Sequence, residues 1–317
     1  MRDPSDPPVL ADVVAAAERI RAFVHRTPVM RSPELDEWLG VRAVLKCEHL
    51  QRVGAFKYRG ATNAVQLLSD ADAARGVCAH SSGNHAAALA LAARDRGIAA
   101  HLVMPDNVSP VKLTAVRGYG AEVTLCEPTL VAREATVAEV RERTGAIEVH
   151  PYDDPRIIAG AGTAALELVI EVTDLDVVIT PIGGGGLLSG TCIAVHGRAP
   201  NARVFGGEPA GADDAAQSLA TGTLVPQTDP RTMADGLLTS MSPRTFGIIR
   251  EHVETIVTVG EDEIVEAMRV VWQRTKQIIE PSAAVAVAAV RRAALAPDTH
   301  VGIVLSGGNV DLDALPW

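Results

Sequence analysis

Short runs of β-branched and other apolar residues alternate with longer alanine-rich stretches along most of this chain. The apolar runs lie at 77–80, 101–104, 122–126, 147–150, 177–182, 203–205, 255–259 and 301–305. Strands that alternate with helices predict an α/β fold, with parallel sheets covered by helices on both faces. Ligands of such folds bind at the carboxyl ends of the strands, where this chain has several glycine-rich loops. The stretch 209–239, rich in Gly, Asp, Pro and Thr, predicts a long irregular loop.

Length, charge and cysteine content restrict the class of protein. A length of 317 residues suggests two domains. The formal net charge of -10 argues against nucleic-acid binding, which needs a basic face. No apolar run approaches the roughly 18 residues of a membrane-spanning helix, and four scattered cysteines indicate neither a disulfide framework nor a zinc site. We therefore expect a cytoplasmic globular protein without nucleic-acid or membrane partners.

The segment Ala55-Phe-Lys-Tyr-Arg-Gly60 contains a candidate nucleophile. In one interpretation Arg59 lowers the pKa of Lys57, whose neutral amine could then form a Schiff base. The alternative is an ordinary surface lysine before a helix over residues 60–68. The segment alone favours this second interpretation.

Two loops, each between a predicted strand and a predicted helix, are candidate anion sites. Ser81-Ser-Gly-Asn-His85 offers capping side chains and backbone N–H groups that suit a carboxylate, although a capped helix start alone explains it too. Gly183-Gly-Gly-Gly186 lets several N–H groups point at one anion. Leu187 and Leu188 break the dinucleotide fingerprint, and Thr191 stands where a nucleotide P-loop has lysine. A phosphate monoester is therefore a better candidate than NAD or ATP.

Two further segments have a functional and a structural interpretation. Ser306-Gly-Gly-Asn309 places a hydroxyl at the carboxyl end of a strand, but it also suits a tight turn. The acidic segment from Glu208 to Asp214 could hold a hard cation, or it is a solvated loop.

Together and in this order, these segments resemble the fold-type II pyridoxal-phosphate enzymes, in the branch of the serine racemases and serine/threonine dehydratases. The resemblance extends from the His25-Arg-Thr-Pro28 motif to Asp311. It implies two domains, each with a twisted, mostly parallel sheet flanked by helices. Residues 1–69 and 151–317 would form a large cofactor-binding domain, and residues 70–150 a small, mobile domain inserted into it. A homodimer is also implied.

The resemblance assigns the residues that bind pyridoxal 5'-phosphate. Lys57 corresponds to the lysine that forms a Schiff base with the cofactor and acts as a base on one face of the substrate. Phe56 would pack against the pyridine ring, and Asn84 would reach the phenolic oxygen. Ser306 would meet the pyridine nitrogen, and a hydroxyl there leaves that nitrogen unprotonated, which suits α,β-elimination better than transamination. The phosphate would lie on the glycine loop formed by Gly183, Gly184, Gly185 and Gly186.

The resemblance also implies a substrate site. The residues that would receive the substrate carboxylate are Ser81, Ser82, Gly83, Asn84 and His85. Ordinary threonine dehydratases have Ala in place of Ser82, and a serine there would reprotonate the opposite face of the carbanion, as in racemases and related hydroxyaspartate dehydratases. Arg133 matches an arginine that meets a distal carboxylate. Tyr152 is a departure, since the mammalian racemases have Asn there.

The acidic segment gains a specific interpretation from the same resemblance. Glu208, the Ala212 carbonyl and Asp214 match the divalent-metal site of the racemase branch. The resemblance therefore favours a bound Mg²⁺, Ca²⁺ or Mn²⁺ over a plain acidic loop.

We therefore expect a dehydratase (ammonia-lyase) that converts L-serine, L-threonine or a related 3-hydroxy amino acid, such as threo-3-hydroxyaspartate, to a 2-oxo acid and ammonia. One alternative is a serine- or aspartate-type racemase that uses Lys57 and Ser82 as its two bases. Another is a non-catalytic protein that binds pyridoxal phosphate or an amino acid.

Overall fold

The computed structural model describes residues 6–81, 83–108 and 110–317. The strands within these ranges are β1 (Val29–Met30), β2 (Arg42–Lys46), β3 (Val77–His80), β4 (Ala100–Pro105), β5 (Glu122–Cys126), β6 (Ile147–Glu148), β7 (Val177–Pro181), β8 (Arg203–Pro209), β9 (Thr255–Val259) and β10 (His300–Val304). They form a larger sheet of order β1-β2-β10-β7-β8-β9 and a smaller sheet of order β5-β4-β3-β6.

The pairing confirms the predicted α/β fold with two mostly parallel sheets. Among the described strands, β1 runs antiparallel to β2, and the other pairs are parallel. The register places Val301 of β10 opposite Ala43 on one side and Val177 on the other. Both β7 and β10 are fully buried, as expected for parallel strands covered on both faces. The sequence pattern did not predict β1 and β2.

The helices cover these sheets and connect their strands. In the described ranges they are α1 (Leu10–Ile20), α2 (Pro33–Leu39), α3 (Lys57–Gln66), α4 (Asp70–Ala73), α5 (Asn84–Arg96), α6 (Pro110–Gly118), α7 (Leu130–Thr144), α8 (Pro155–Glu171), α9 (Gly186–Arg198), α10 (Asp214–Thr221), α11 (Pro243–His252), α12 (Glu261–Thr275) and α13 (Pro281–Arg292). Short 3₁₀ turns occur at Glu48–Leu50, Arg52–Gly54, Ala210–Ala212 and Asp235–Leu237.

The predicted long loop over 209–239 was wrong in part, because it contains α10. This helix forms where Ala215 and Leu219, four residues apart, pack into the core beside the larger sheet. The composition suggested a loop, but the packing of one apolar face decided the structure.

The smaller sheet comes from a continuous part of the chain, since its strands lie between α3 and α8. This part falls inside the predicted segment 70–150, while the exact domain boundaries and the mobility of the segment stay predictions. Among the described residues, no helix combines the length and apolar character that a membrane crossing needs.

Close packing of helices brings together the segments that contain Lys57 and the glycine loop. Helix α8 packs against both α3 and α9. A Cβ on Gly162 of α8 would lie 2.6 Å from the carbonyl oxygen of Gly190 on α9, so the two helices approach at a distance that only glycine allows. The starts of α3 and α9, which carry Lys57 and the glycine loop, are thereby held beside one another.

Candidate active site

Lys57 is the first residue of α3 and lies half-buried at its amino end. Its Nζ donates a hydrogen bond to the Pro151 carbonyl oxygen at 2.9 Å. Burial lowers the pKa of Lys57 to about 8, and the Glu280 carboxylate opposes this shift. An amine whose pKa lies so close to neutrality can act as a base or a nucleophile.

The sequence-based explanation for this shift was wrong, because Arg59 belongs to a separate buried ion cluster. Its Nε donates to Glu48 at 2.7 Å and its Nη1 to Glu167 at 2.8 Å. The Nζ of Lys46 completes the cluster with a 2.6 Å bond to Glu167. Burial acts to lower the pKa of Arg59, but Glu48 and Glu167 outweigh it and the net direction is upward. The cluster holds two cations and two anions, so its charges compensate one another. The lowered pKa of Lys57 is therefore due to burial and not to Arg59.

The glycine loop forms an anion-binding surface at the amino end of α9. Gly185 caps this helix with a φ of +86°. The N–H groups of Gly183, Gly184 and Gly185 donate no backbone hydrogen bond to another described residue. Unpaired N–H groups at a helix N-terminus attract anions. Tyr152 packs against the loop so closely that a Cβ on Gly184 would lie 2.3 Å from its ring.

Asn84 begins α5 and is held by two partners from the larger sheet's part of the chain. Its Nδ2 donates to both oxygens of Glu280, at 2.9 and 3.1 Å. Its Oδ1 accepts a hydrogen bond from the Asn309 side chain at 2.9 Å. The amide orientation is therefore fixed by a carboxylate on one side and a donor on the other.

Sequence reasoning missed Glu280. Burial raises the pKa of this carboxyl to about 7, Asp235 adds to the shift, and Asn84 and Lys112 oppose it. The available signal was a glutamate directly before Pro281, which begins an apolar helix. A charged residue at the start of a buried apolar segment is uncommon unless it has a polar partner.

The remaining polar residues of the Ser81–His85 loop lie beside Asn84. Ser81 continues from β3, and its N–H donates to the Val103 carbonyl at 3.0 Å. The Gly83 N–H donates to the Ser81 hydroxyl at 3.3 Å. Ser82, the predicted second catalytic residue, lies outside the described residues.

The His85 ring points into the core. Its Nε2 donates to the Val149 carbonyl at 2.9 Å, and its buried Nδ1 has no partner among the described residues. Burial and the charge of Lys57 lower the pKa of His85 to about 3. The ring is therefore neutral with its one N–H already used, so His85 can offer a carboxylate only its backbone N–H.

Ser306 and Phe56 meet where β10 ends and α3 begins. Ser306 is buried, and its carbonyl accepts a hydrogen bond from the Phe56 N–H at 2.9 Å. The Phe56 ring packs with Leu187 and Val304, and Lys57 Nζ lies 5.2 Å from the ring centroid. The structure thus brings Phe56, Lys57 and the buried residue Ser306 close together.

Two histidines that sequence reasoning missed, His80 and His150, form ring contacts that end at Tyr152. His80 ends β3 and His150 follows β6, and their ring centroids are 6.3 Å apart. His150 in turn packs edge-on against Tyr152 at 4.6 Å. Burial lowers the pKa of His80, and the charge of Arg133 contributes. The ring contacts therefore run from His80 through His150 to Tyr152 beside the glycine loop, and Arg133 is near enough for its charge to act on His80. The available signal was that His80 ends one strand and His150 follows another.

The predicted metal ligands lie apart from this cleft's polar loops, where β8 ends. The Glu208 carboxylate accepts hydrogen bonds from the N–H groups of Ala215 and Ala216 at 3.0 and 2.8 Å. Burial raises the pKa of Glu208 to about 8, these hydrogen bonds oppose the shift, and Asp214 adds to it.

Asp214 supplies a second buried carboxylate, and Ala212 lies in the 3₁₀ turn just before it. The Oδ1 of Asp214 accepts a 3.2 Å hydrogen bond from the Gln227 side chain, whereas the buried Oδ2 of Asp214 has no partner among the described residues. Burial raises the pKa of Asp214 to about 6. No group of three or more His, Cys, Asp or Glu side chains suited to a metal occurs in the described part of the chain. Two carboxylates with an orphaned oxygen nevertheless fit a hard cation that is completed by carbonyl and water oxygens.

Comparison with known proteins identifies the family. The family described as pyridoxal-phosphate dependent enzyme matches residues 20–307. The chain belongs to this family.

Three proteins of different activity are similar to this enzyme to nearly the same degree. The beta-hydroxyaspartate dehydratase of Paracoccus denitrificans is 47% identical over 98% of this chain and 99% of its own. The solved serine racemase of Dictyostelium discoideum is 45% identical, with a TM-score of 0.92 over 96% of this chain and 99% of its own. The solved threonine deaminase of T.th. is 43% identical, with a TM-score of 0.92 over the same shares of 96% and 99%. Overall similarity therefore does not decide among these reactions.

The residues present fit the cofactor. Lys57 provides an amine of lowered pKa, and the glycine loop provides unpaired N–H groups for a phosphate. A Cβ on Gly184 would collide with the Tyr152 ring, so the loop needs glycine there to lie against that ring. Ser306 supplies a hydroxyl, and not a carboxylate, at the end of β10. All these groups lie at carboxyl ends of strands or amino ends of helices, where parallel α/β folds bind ligands.

Proposed function

We propose that the enzyme is a hydroxy-amino-acid dehydratase that releases a 2-oxo acid and ammonia. The observation that carries this proposal is Lys57, an enclosed amine with a pKa of about 8 whose hydrogen-bond partner is a neutral carbonyl. Such an amine is suited to take a proton near neutral pH, because its pKa is close to that pH.

The chemistry divides between the cofactor and the protein. When bound, pyridoxal phosphate supplies the electron sink for the negative charge left on the substrate's α-carbon. Lys57 Nζ takes the α-proton, and the α-carbon electron pair forms the Cα–Cβ double bond as the Cβ–O bond breaks. The β-hydroxyl leaves as water with the proton that Lys57 Nζ had taken, which restores the neutral amine. Water is consumed again when the unsaturated amine hydrolyses, so one hydroxy amino acid gives one 2-oxo acid and one ammonia.

The remaining residues bind and orient. We propose that Phe56 packs on the cofactor ring, that Ser306 meets its nitrogen and that Asn84 meets its phenolic oxygen. Glu280 and Asn309 support this role of Asn84, because they fix its amide. The phosphate is proposed to lie on Gly183, Gly184, Gly185 and Gly186. The substrate carboxylate is proposed to lie on Ser81, Ser82, Gly83, Asn84 and the backbone N–H of His85.

We propose a 3-hydroxy amino acid as the substrate class, with threo-3-hydroxyaspartate beside L-serine and L-threonine. Arg133 supports the dicarboxylic member of this set, because its charge acts on His80 and a guanidinium suits a second carboxylate. The purified holoenzyme is to be tested for 2-oxo acid release from the three substrates, each as both enantiomers. Release from none of them would overturn the proposal.

A second candidate function is racemisation with Lys57 and Ser82 as the two bases, which the named serine racemases among the relatives favour. A common carbanion can be reprotonated or can eliminate, so both reactions can share this site. We expect Ser82→Ala to abolish the exchange between enantiomers while retaining elimination of the L-substrate. Chiral chromatography beside the 2-oxo acid assay measures both, and an equal loss would contradict the two-base hypothesis.

We further propose that Glu208, the Ala212 carbonyl and Asp214 hold Mg²⁺, Ca²⁺ or Mn²⁺. The orphaned Asp214 oxygen and the two raised carboxyl pKa values support this site, since a cation compensates buried negative charge.

A homodimer, a cytoplasmic location and closure of the segment 70–150 over the proposed active site complete the proposal.

A further inference from the structure

Beside the Ser81–His85 loop, an ion pair joins a helix that follows a strand of the smaller sheet to a turn that follows a strand of the larger sheet. Lys112 lies on α6, and Asp235 is the first residue of the 3₁₀ turn Asp235–Leu237. Lys112 Nζ forms an ion pair with Asp235 Oδ2. Their side chains are 27% and 52% exposed. Lys112 Nζ lies only 3.7 Å from the position of a Cβ on Gly83. A cation therefore faces the proposed carboxylate site, and it carries a carboxylate of the protein.

The turn that presents Asp235 is fixed against two other parts of the site. A Cβ on Gly183 of the glycine loop would lie 2.9 Å from Cα of Leu237. The Gly236 N–H donates to the Ser282 hydroxyl at 3.0 Å, near the start of α13. Asp235 is thus held in place by its own turn, and the pairing with Lys112 is not needed to position it.

Electrostatics connect the pair to the reacting groups. Asp235 raises and Lys112 lowers the pKa of Glu280, the carboxyl that binds Asn84. An incoming substrate carboxylate would meet both Glu280 and Asp235. A cation beside Gly83 offsets this repulsion, which the neutral N–H groups of the loop cannot do.

We propose that Lys112 is a substrate-binding residue for the α-carboxylate of the amino acid, and that Asp235 occupies it until the substrate arrives. The substrate carboxylate then replaces Asp235 on Lys112 Nζ. This inference rests on the proposed function, because it takes the Ser81–His85 loop as the carboxylate site. The exchange costs little, since a half-exposed ion pair contributes little stability.

The test uses two variants whose effects have opposite signs. Lys112→Gln is expected to raise KM for 3-hydroxy amino acids about tenfold, the loss typical of one charge-assisted hydrogen bond, with kcat reduced less than about twofold. Asp235→Asn removes the competing carboxylate and is expected to lower KM by roughly two- to fivefold. Lys112→Arg keeps the cation and is expected to stay within about threefold of the unmodified enzyme.

Binding measured by calorimetry on the holoenzyme supplies a readout apart from turnover. 3-Hydroxypropionate has the carboxylate without the amine, and its Kd is expected to rise about tenfold in Lys112→Gln. Ethanolamine has the amine and hydroxyl without the carboxylate, and its Kd is expected to stay unchanged. Arg203→Gln and Glu254→Gln break an exposed pair at the amino end of β8, across the sheet from the site, and serve as charge-matched controls.

Three outcomes would overturn the inference: KM rising in both Lys112→Gln and Asp235→Asn, as for a simple closing contact; ethanolamine weakening together with 3-hydroxypropionate; or Lys112→Gln leaving KM and both Kd values unchanged. If the unmodified enzyme turns over no 3-hydroxy amino acid, the proposed function fails separately, and the calorimetric comparison still tests Lys112.

Discussion

Helix α3 carries two cations two residues apart that meet opposite fates. Arg59 is completely buried and bonded to the carboxylates of Glu48 and Glu167, which keep it charged. Lys57 is hydrogen-bonded to a neutral carbonyl, and burial lowers its pKa to about 8. Arg59 joins α3 to the 3₁₀ turn Glu48–Leu50 and to α8, whereas Lys57, which has no bonded carboxylate, is the base that we propose.

The difference shows how one helix serves two purposes. Burial disfavours both charges, but bonded carboxylates are present for one and absent for the other. Whether a buried cation is structural or reactive is therefore decided by its partners and not by its depth.

The largest expected effect comes from removing the reactive cation. Lys57→Ala should lower turnover by roughly 10³-fold or more, because it removes the residue that we propose as both the base and the attachment point for the cofactor. Thermal unfolding of the apoprotein should not be weakened, since no carboxylate loses a partner. Mass spectrometry after borohydride reduction checks the attachment, with Lys276→Asn, at an exposed lysine, as the control. If borohydride treatment of Lys57→Ala gave as much covalent cofactor–protein adduct as the unmodified enzyme, the assignment of Lys57 would be contradicted.

Removing the structural cation should affect stability first. Arg59→Met leaves Glu48 and Glu167 short of their partner, and we expect a loss of about 3–5 kcal/mol in the free energy of unfolding, measured in urea. Arg292→Met breaks an exposed pair with Glu263 and should cost less than about 1 kcal/mol. Similar losses in the two variants would show that the buried cluster is not a stabilising unit.

The acidic pair extends the comparison to unbalanced anions. We expect Mg²⁺, Ca²⁺ or Mn²⁺ at about 100 times its Kd to stabilise the holoenzyme by about 2.7 kcal/mol relative to EDTA. Glu208→Gln and Asp214→Asn should remove most of this gain, while Glu254→Gln should keep it. Thermal unfolding with and without the cation measures the effect, and a gain that survives in both site variants would place the cation elsewhere.

The smallest expected effect is a shift of a pH profile. In the proposed role of Lys57, its neutral form captures pyridoxal phosphate, so the capture rate of the apoprotein should rise roughly tenfold from pH 7 to pH 9 and then level off. An ordinary lysine would still be gaining reactivity up to about pH 10.5. Glu280 holds the pKa of Lys57 up, so Glu280→Gln should move the midpoint to lower pH. Absorbance during cofactor binding gives the profile, and a midpoint that moves upward would contradict this direction.

Much of the fold and of the site could be predicted from local pattern. The strands of both sheets except β1 and β2 were visible as apolar runs, and β2 was missed because Lys46 and Arg42 at its ends are charged. The glycine loop was found because four successive glycines between a strand and a helix are chemically unusual, and Lys57 was found only through the resemblance that all the motifs carry together. The helix α10 was missed because its short apolar face is only defined by what it packs on.

The missed site residues share a physical cause. Glu280 and Lys112 each gain their meaning from a partner far away in the chain. Asn84 and Glu280 are 196 residues apart, and Lys112 and Asp235 are 123 apart. No periodicity within one segment can report such a contact.

The sequence by itself determined the family, the α/β fold and the lysine, because these follow from short-range spacing and from motifs in a fixed order. Only the tertiary structure decided why the pKa of Lys57 is lowered, since burial and the absence of a bonded carboxylate are properties of the packed molecule. It also corrected the role of Arg59, which is adjacent in sequence but bonded to Glu48 and Glu167 in space. Charges interact through distance and dielectric, and a linear sequence specifies neither.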